Sequence, residues 1–181
     1  MMRVVFKWVW RWRAVLSSFV LGGLAAVGAS LATVHMVEET GDDEFCGACH
    51  EMDIFCETWR EGSHGTAELG IEVAKCVDCH LPHTGTVPYL IAKGRTGMHD
   101  TIAHIRGYEP DWVENLEHRE AYGYESGCRE CHKELIAPGI SLKAYNAHRD
   151  VITGETTKTC IACHSEVGHG DLKSALMKRE H

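Results

Sequence analysis

Apolar and polar residues divide the chain into two unequal parts. From Ala14 to Val34 run twenty-one residues without a charge, and as a helix they would cover roughly 31 Å, the thickness of a bilayer core. The pattern therefore predicts a transmembrane helix over residues 14–34. From Cys46 onward the sequence is too rich in glycine, histidine and charge for long periodic elements, and it predicts short helices joined by irregular segments. Asp111-Trp112-Val113-Glu114 reads as a helix start, a capping aspartate with a glutamate three residues on, and Gly123 or Gly127 could end that helix. Thr86 to Ile91 is apolar but far too short to span. With Lys93 and Arg95 following, it could lie in a membrane interface or pack against a buried group.

Charge orients the long run. Arg3, Lys7, Arg11 and Arg13 precede it, and Glu38, Glu39, Asp42, Asp43 and Glu44 follow it, so the N-terminus belongs in the cytoplasm and the rest outside. Trp8, Trp10 and Trp12 would mark the inner interface. Ser30-Leu31-Ala32 offers a signal-peptidase site, but the run is longer than a usual signal core, and a retained single-pass anchor is the reading. Gly22, Ala26 and Ser30 recur every four residues, which leaves room for close helix approach in a homo-oligomer or hetero-complex. The organisation is a basic segment 1–13, the span 14–34, a linker 35–45 and an exported domain 46–181.

Composition narrows the function classes. Lys+Arg number 18 against Asp+Glu 26, a formal net charge of −8, which disfavours nucleic acid as a partner because a phosphate backbone calls for a basic surface. Eight of the nine cysteines fall in four C-x-x-C-H motifs: Cys46/Cys49/His50, Cys76/Cys79/His80, Cys128/Cys131/His132 and Cys160/Cys163/His164. In c-type haem attachment the two thiols form thioethers to the haem and the histidine is delivered to the iron. Zinc knuckles do not require a histidine after every second cysteine. The motifs therefore predict four covalent haem c groups, a core made largely of cofactor, and export, since attachment takes place outside the cytoplasm. Cys56, the odd cysteine, reads as a small buried residue.

The motifs are internally repeated. Cys46 to Cys76 is 30 residues and Cys128 to Cys160 is 32, with a 52-residue step between the pairs, as two dihaem units at 46–83 and 128–169 would give. Histidines repeat too: His64 follows His50 by 14 and His148 follows His132 by 16, while His83 follows His80 by three and His169 follows His164 by five. Candidate distal ligands are Met52, His64, His83, Lys93, His99, His104, His118, His148 and His169. Of these candidates His99, His104 and His118, like His35 and His181 outside the set, read as propionate-bonding or solvated rather than iron-binding.

The retained helix, C-x-x-C-H-x-M ending at Met52, Gly62-Ser63-His64 twelve residues later, C-x-x-C-H-x-P-H ending at His83, and C-x-x-C-H-x-x-x-x-H ending at His169 together resemble the NapC/NirT/NrfH family of membrane-anchored tetrahaem quinol dehydrogenases. The resemblance covers essentially the whole chain. It implies a mainly α fold with much irregular structure: one N-terminal transmembrane helix and a small tetrahaem c-type domain of two dihaem repeats. It also implies that Met52 ligates haem 1, with or in place of His50, leaving the other face of that haem open beside Asp100 and the quinol, that His64 reaches haem 4 and that His169 reaches haem 3. Lys93 and Asp100 match a lysine and an acidic residue that flank the quinol site. For haem 2 the family offers the matched lysine, Lys93, in members with a short third-to-fourth spacing. This chain has the longer spacing, and pseudo-symmetry of the repeat favours His148.

The implied activity is oxidation of menaquinol or ubiquinol at haem 1, with Asp100 and His83 as proton acceptors and Lys93 hydrogen-bonding a quinol oxygen. Electrons would pass to a periplasmic multihaem or molybdenum reductase. The place implied is the bacterial inner membrane, with the haem domain in the periplasm. Reverse flow into quinone, or a plain electron carrier without a quinol site, are the alternatives.

Overall fold

The computed structural model describes residues 2–66 and 70–179, with side chains from Trp10 onward except that of Arg11. Arg3, Lys7, Trp8 and Arg11 thus lie outside the described side chains, and His181 outside the described residues. The chain separates into two compact units, Met1–Thr40 and Gly41–His181.

The first unit is one helix, α1 (Met2–Glu39). Its segment Trp12–Glu39, 28 residues, is long and apolar enough to cross a membrane. Phe19, Leu24 and Leu31 are exposed along it, as side chains facing lipid would be. Ser17, Ser30 and Thr33 donate their hydroxyls to the carbonyls of Ala14, Ala26 and Ala29, each at 2.9 Å. Their polar atoms are therefore satisfied within the helix, which hydrocarbon requires. The helix runs past the uncharged stretch at both ends because no proline interrupts it.

The second unit is helical, with no strand among the described residues. In order come α2 (Asp43–Cys46), a 3-10 turn (His50–Met52), α3 (Asp53–Glu61), α4 (Cys76–His80), α5 (Thr86–Ile105), α6 (Trp112–Asn115), a second 3-10 segment (Leu116–Ala121), α7 (Glu125–Cys131), α8 (Leu142–Thr153), α9 (Cys160–Cys163) and α10 (Leu172–Arg179). The mainly α, largely irregular architecture is the one expected. The Asp111 cap is present: its carboxylate accepts the Glu114 N–H at 2.9 Å, and the helical path ends at Ala121, two residues before Gly123.

One element departs from the expectation of short helices. Thr86 to Ile91 is not an isolated apolar patch but the start of the 20-residue α5. Pro88 lies in its first turn, where a missing N–H costs nothing, and the helix continues through Gly94 and Gly97 despite their low propensity. Val87, Ile91, Met98, Ile102 and Ile105, all exposed, recur at helical spacing along one face. Lys93, Asp100 and His104, spaced seven and four apart, share another.

Buried apolar side chains are few: Cys56 and Trp59 of α3, Leu81, and Leu172 and Leu176 of α10. Helix α10 packs on α3 and α6, while α4 packs on α7 and α7 on α9. This protein-only core is too small to offset the chain entropy of such a unit by itself.

Candidate functional site

The short helices position the motifs. In α4, α7 and α9 the two cysteines of each motif stand three residues apart and so leave the helix on the same side. Local hydrogen bonds hold these turns. Thr159 accepts the Ala162 N–H at 3.0 Å at the start of α9, Asp78 accepts the Lys75 N–H at 2.8 Å at the start of α4, and Asp42 accepts the Phe45 N–H at 3.2 Å ahead of Cys46. The second and third motifs lie against one another. A Cβ on Gly127 of α7 would collide with the Asp78 carbonyl of α4, so only glycine permits that approach.

Each motif histidine has a second imidazole at nearly one separation. Ring centroids are 5.9 Å apart for His50 and His104, 6.1 Å for His80 and His169, 6.0 Å for His132 and His64, and 6.1 Å for His164 and His148. An imidazole nitrogen binds a first-row metal at about 2 Å, so two rings on opposite sides of one ion hold their centroids about 6 Å apart. The observed separations of 5.9 to 6.1 Å are compatible with a metal ion held between the two rings of each pair.

The outward nitrogens are held as metal-binding histidines require. Nδ1 of His80 lies 2.6 Å from the Tyr122 carbonyl, that of His169 2.9 Å from the Phe55 carbonyl, that of His148 2.7 Å from the Leu135 carbonyl and that of His64 3.3 Å from the Val167 carbonyl. Each bond fixes the proton on Nδ1 and leaves the Nε2 lone pair available. Burial pushes the pKa of His169 down to about 4, with His80 adding to the shift. The ring of His80, in a residue exposed overall, is likewise lowered by desolvation. His169 is thus neutral near pH 7, as ligation demands. Thiols spaced for two thioethers and paired imidazoles fit haem c.

The pairs differ from those expected. His169 stands by His80 of the second motif, not by the third; His64 stands by His132 of the third, not by the fourth; His148 stands by His164 of the fourth, not by the second. The reason is chain geometry. Helix α8, capped by Ser141 accepting the Ala144 N–H at 3.2 Å, returns His148 to the motif that follows it in sequence, whereas pseudo-symmetry would have exchanged it between units. His104, read as a propionate or solvent histidine, stands by His50. Met52 lies half-buried in the turn that begins with His50.

The residues expected at a quinol site gather near the first motif. Lys93 and Asp100 both act electrostatically on Cys46, and Asp100 acts also on His80. Lys93 is half-buried, and burial lowers its pKa. Asp100 is exposed, its Oδ1 3.0 Å from Nδ1 of His99. His83 meets Tyr89 of α5 edge-on at 5.6 Å, and its Nε2 lies 3.3 Å from the Val77 carbonyl. Cys56 is 5 % exposed, and burial raises its thiol pKa, so it is an inert core residue.

Residues 9–174 match the family model described as the NapC/NirT cytochrome c family, N-terminal region. The chain is 29 % identical over 148 residues to the cytochrome c-type protein NrfH of Wolinella succinogenes, covering 82 % of this chain and 78 % of that one. With the cytochrome c-type protein NapC of Escherichia coli K12 the identity is 26 % over 181 residues, covering 91 % and 90 %. Among solved structures it resembles a chain from the cytochrome c nitrite reductase NrfHA complex bound to the HQNO inhibitor, at TM-score 0.56 and 27 % identity, over 84 % of this chain and 90 % of that one.

Proposed function

Because the chain belongs to the NapC/NirT cytochrome c family, and is thus a membrane-anchored electron-transfer cytochrome with covalently bound haem c, we propose that it oxidises membrane quinol and delivers the electrons to a periplasmic reductase. Four haem c groups, one per C-x-x-C-H motif, supply one-electron acceptors when bound. In this reading His80 and His169 serve the second motif, His132 and His64 the third, and His164 and His148 the fourth.

The observation that carries the proposal is the face of α5 on which Lys93 and Asp100 stand, two turns apart and both within electrostatic reach of Cys46. Oxidation of a quinol to a quinone releases two electrons and two protons, so an acceptor of electrons must be paired with an acceptor of protons. The exposed Asp100 carboxylate takes a proton from a quinol hydroxyl, and His99 at 3.0 Å gives that proton a neighbour on the way to solvent. The Lys93 ammonium donates a hydrogen bond to a quinol oxygen and orients the ring. His83 is a second proton acceptor for the other hydroxyl.

A solved relative was captured in a nitrite reductase complex, which supports a periplasmic multihaem reductase as partner, and the apolar segment Trp12–Glu39 supports a membrane, here read as the inner one, as the place of action. In the purified holoprotein, Asp100→Asn is expected to slow quinol-dependent haem reduction about a hundredfold or more, the scale of a lost proton acceptor, while reduction by dithionite is unchanged. An unaltered quinol rate would remove Asp100 from the reaction.

A further inference from the structure

We propose that the outward face of α5 lies in the membrane interface as a second point of attachment to the bilayer, and that Arg95 and Arg106 hold it there against anionic phospholipid headgroups. The inference rests on the membrane anchor alone and is independent of the quinol reading.

Wound at about 100° per residue, α5 (Thr86–Ile105) brings Val87, Ile91, Met98, Ile102 and Ile105 within an arc of about 60°. These five residues are 67, 65, 64, 42 and 76 % exposed. The half-buried residues of the helix, Tyr89, Ala92, Lys93 and Ala103, fall on the opposite side. Contacts fix that side as the inward one: the Tyr89 ring meets His83 at 5.6 Å, and Nδ1 of His104 lies 2.9 Å from Glu51. A helix on a water-facing surface turns its apolar stripe to the core. Helix α5 does the reverse, packing through a tyrosine, two alanines and a lysine while the stripe faces out. The ring pair of His50 and His104 also stands on the inward side, so a group bound there leaves the stripe uncovered.

Two observations name the occupant of that stripe. The first is the tether. The segment Trp12–Glu39 is long and apolar enough to cross a bilayer, α1 ends at Glu39, and the unit that carries α5 begins at Gly41. With only Thr40 between them, lipid is the surface this unit meets at the highest effective concentration. The second is charge. The chain has a formal net charge of −8, yet from Thr86 to Arg106 it carries Lys93, Arg95 and Arg106 against Asp100 alone. Arg95 and Arg106, both exposed, stand along one border of the stripe, and Asp100 stands across the helix from it. An apolar face bordered by arginines is the pattern of a helix lying in a lipid interface. Its aliphatic side chains enter the acyl boundary, and the guanidinium groups reach out to donate hydrogen bonds to phosphates.

The test uses full-length holoprotein in vesicles of phosphatidylcholine, alone or mixed with phosphatidylglycerol. Each vesicle contains a phospholipid with a photoactivatable diazirine in its acyl chain, and adducts are mapped by peptide mass spectrometry. Adducts on Trp12–Glu39 are expected in both vesicles and show that the reagent reaches the anchor. Adducts on residues 87–105 are expected as well, stronger in the anionic vesicles and weakened there by high salt. Ile91→Asp with Ile102→Asp is expected to remove the adducts on α5 and to keep those on the anchor. Haem number and reduction by dithionite are expected to be unchanged in that variant, because both positions are exposed. Arg95→Gln with Arg106→Gln is expected to lower α5 labelling in the anionic vesicles by about fivefold per arginine, the scale of one cationic side chain at an anionic surface. The proposal is overturned if α5 takes no adduct in vesicles where the anchor does, if the aspartate pair leaves its labelling intact, or if labelling is equal in the two lipids. It is also overturned if the wild type is a dimer in detergent that the aspartate pair dissociates, since the stripe would then belong to a second copy of the chain. Slow quinol oxidation with α5 labelled as expected would count against the quinol reading and leave this one standing.

Discussion

At the scale of single residues the decisive quantity is which nitrogen of each histidine is spoken for. His80, His169, His148 and His64 all place Nδ1 on a backbone carbonyl, so backbone geometry decides which motif histidine each ring stands by. The assignment of His148 can be separated from its rival by a double change. His148→Ala is expected to convert one haem to high spin, and removing the fourth attachment site with Cys160→Ala and Cys163→Ala in the same chain is expected to abolish that signal, because the affected haem is gone. Persistence of the signal would place His148 at another motif. None of these pairings could be read from spacing. The chain shows which histidines are in excess of the four motifs, but a repeat specifies only that two units are alike, not whether a ligand serves its own unit or its neighbour. His104 was hidden for a different reason. Its significance lies in being eleven residues from Lys93 on one helical face, and that face exists only once α5 is known to be continuous.

Elements explain why the motifs can crowd together. Capping at Asp111 was legible because it needs four consecutive residues and no tertiary partner. Helix α5 was not, since Gly94 and Gly97 lower the local helix propensity and the run after Ile91 carries no single apolar block. The contact of α4 with α7 depends on one missing side chain. Gly127→Ala is expected to force those helices apart and to cost about 1–3 kcal/mol, the usual range for overpacking, seen as a lowered unfolding midpoint of the holoprotein. Ser141→Ala removes the cap of α8 and is expected to cost about 1 kcal/mol. Because α8 carries His148, the same variant should broaden the spectrum of one haem while leaving haem number unchanged.

Across the whole molecule the sparse apolar core gives the cofactors a structural task. The unit from Gly41 onward buries Cys56, Trp59, Leu81, Leu172 and Leu176, and large macrocycles are what could supply the remaining apolar interior. Replacing the cysteines of all four motifs by serine is accordingly expected to abolish cooperative thermal unfolding of residues 41–181, followed by circular dichroism at a helix band. A sharp transition at the holoprotein's midpoint would show that side chains alone hold the fold. The anchor and the four motifs were plain in the sequence because each is contiguous; the proposed quinol site is not, since it draws on the first motif and on α5 some forty residues away.

The central claim is that this chain takes electrons from quinol. Stopped-flow mixing of the four-haem protein, reconstituted in lipid vesicles, with reduced menaquinol tests it directly, haem absorbance being followed with and without HQNO. Rapid reduction that HQNO slows is the predicted result. Haems that dithionite reduces fully but quinol leaves oxidised would contradict it.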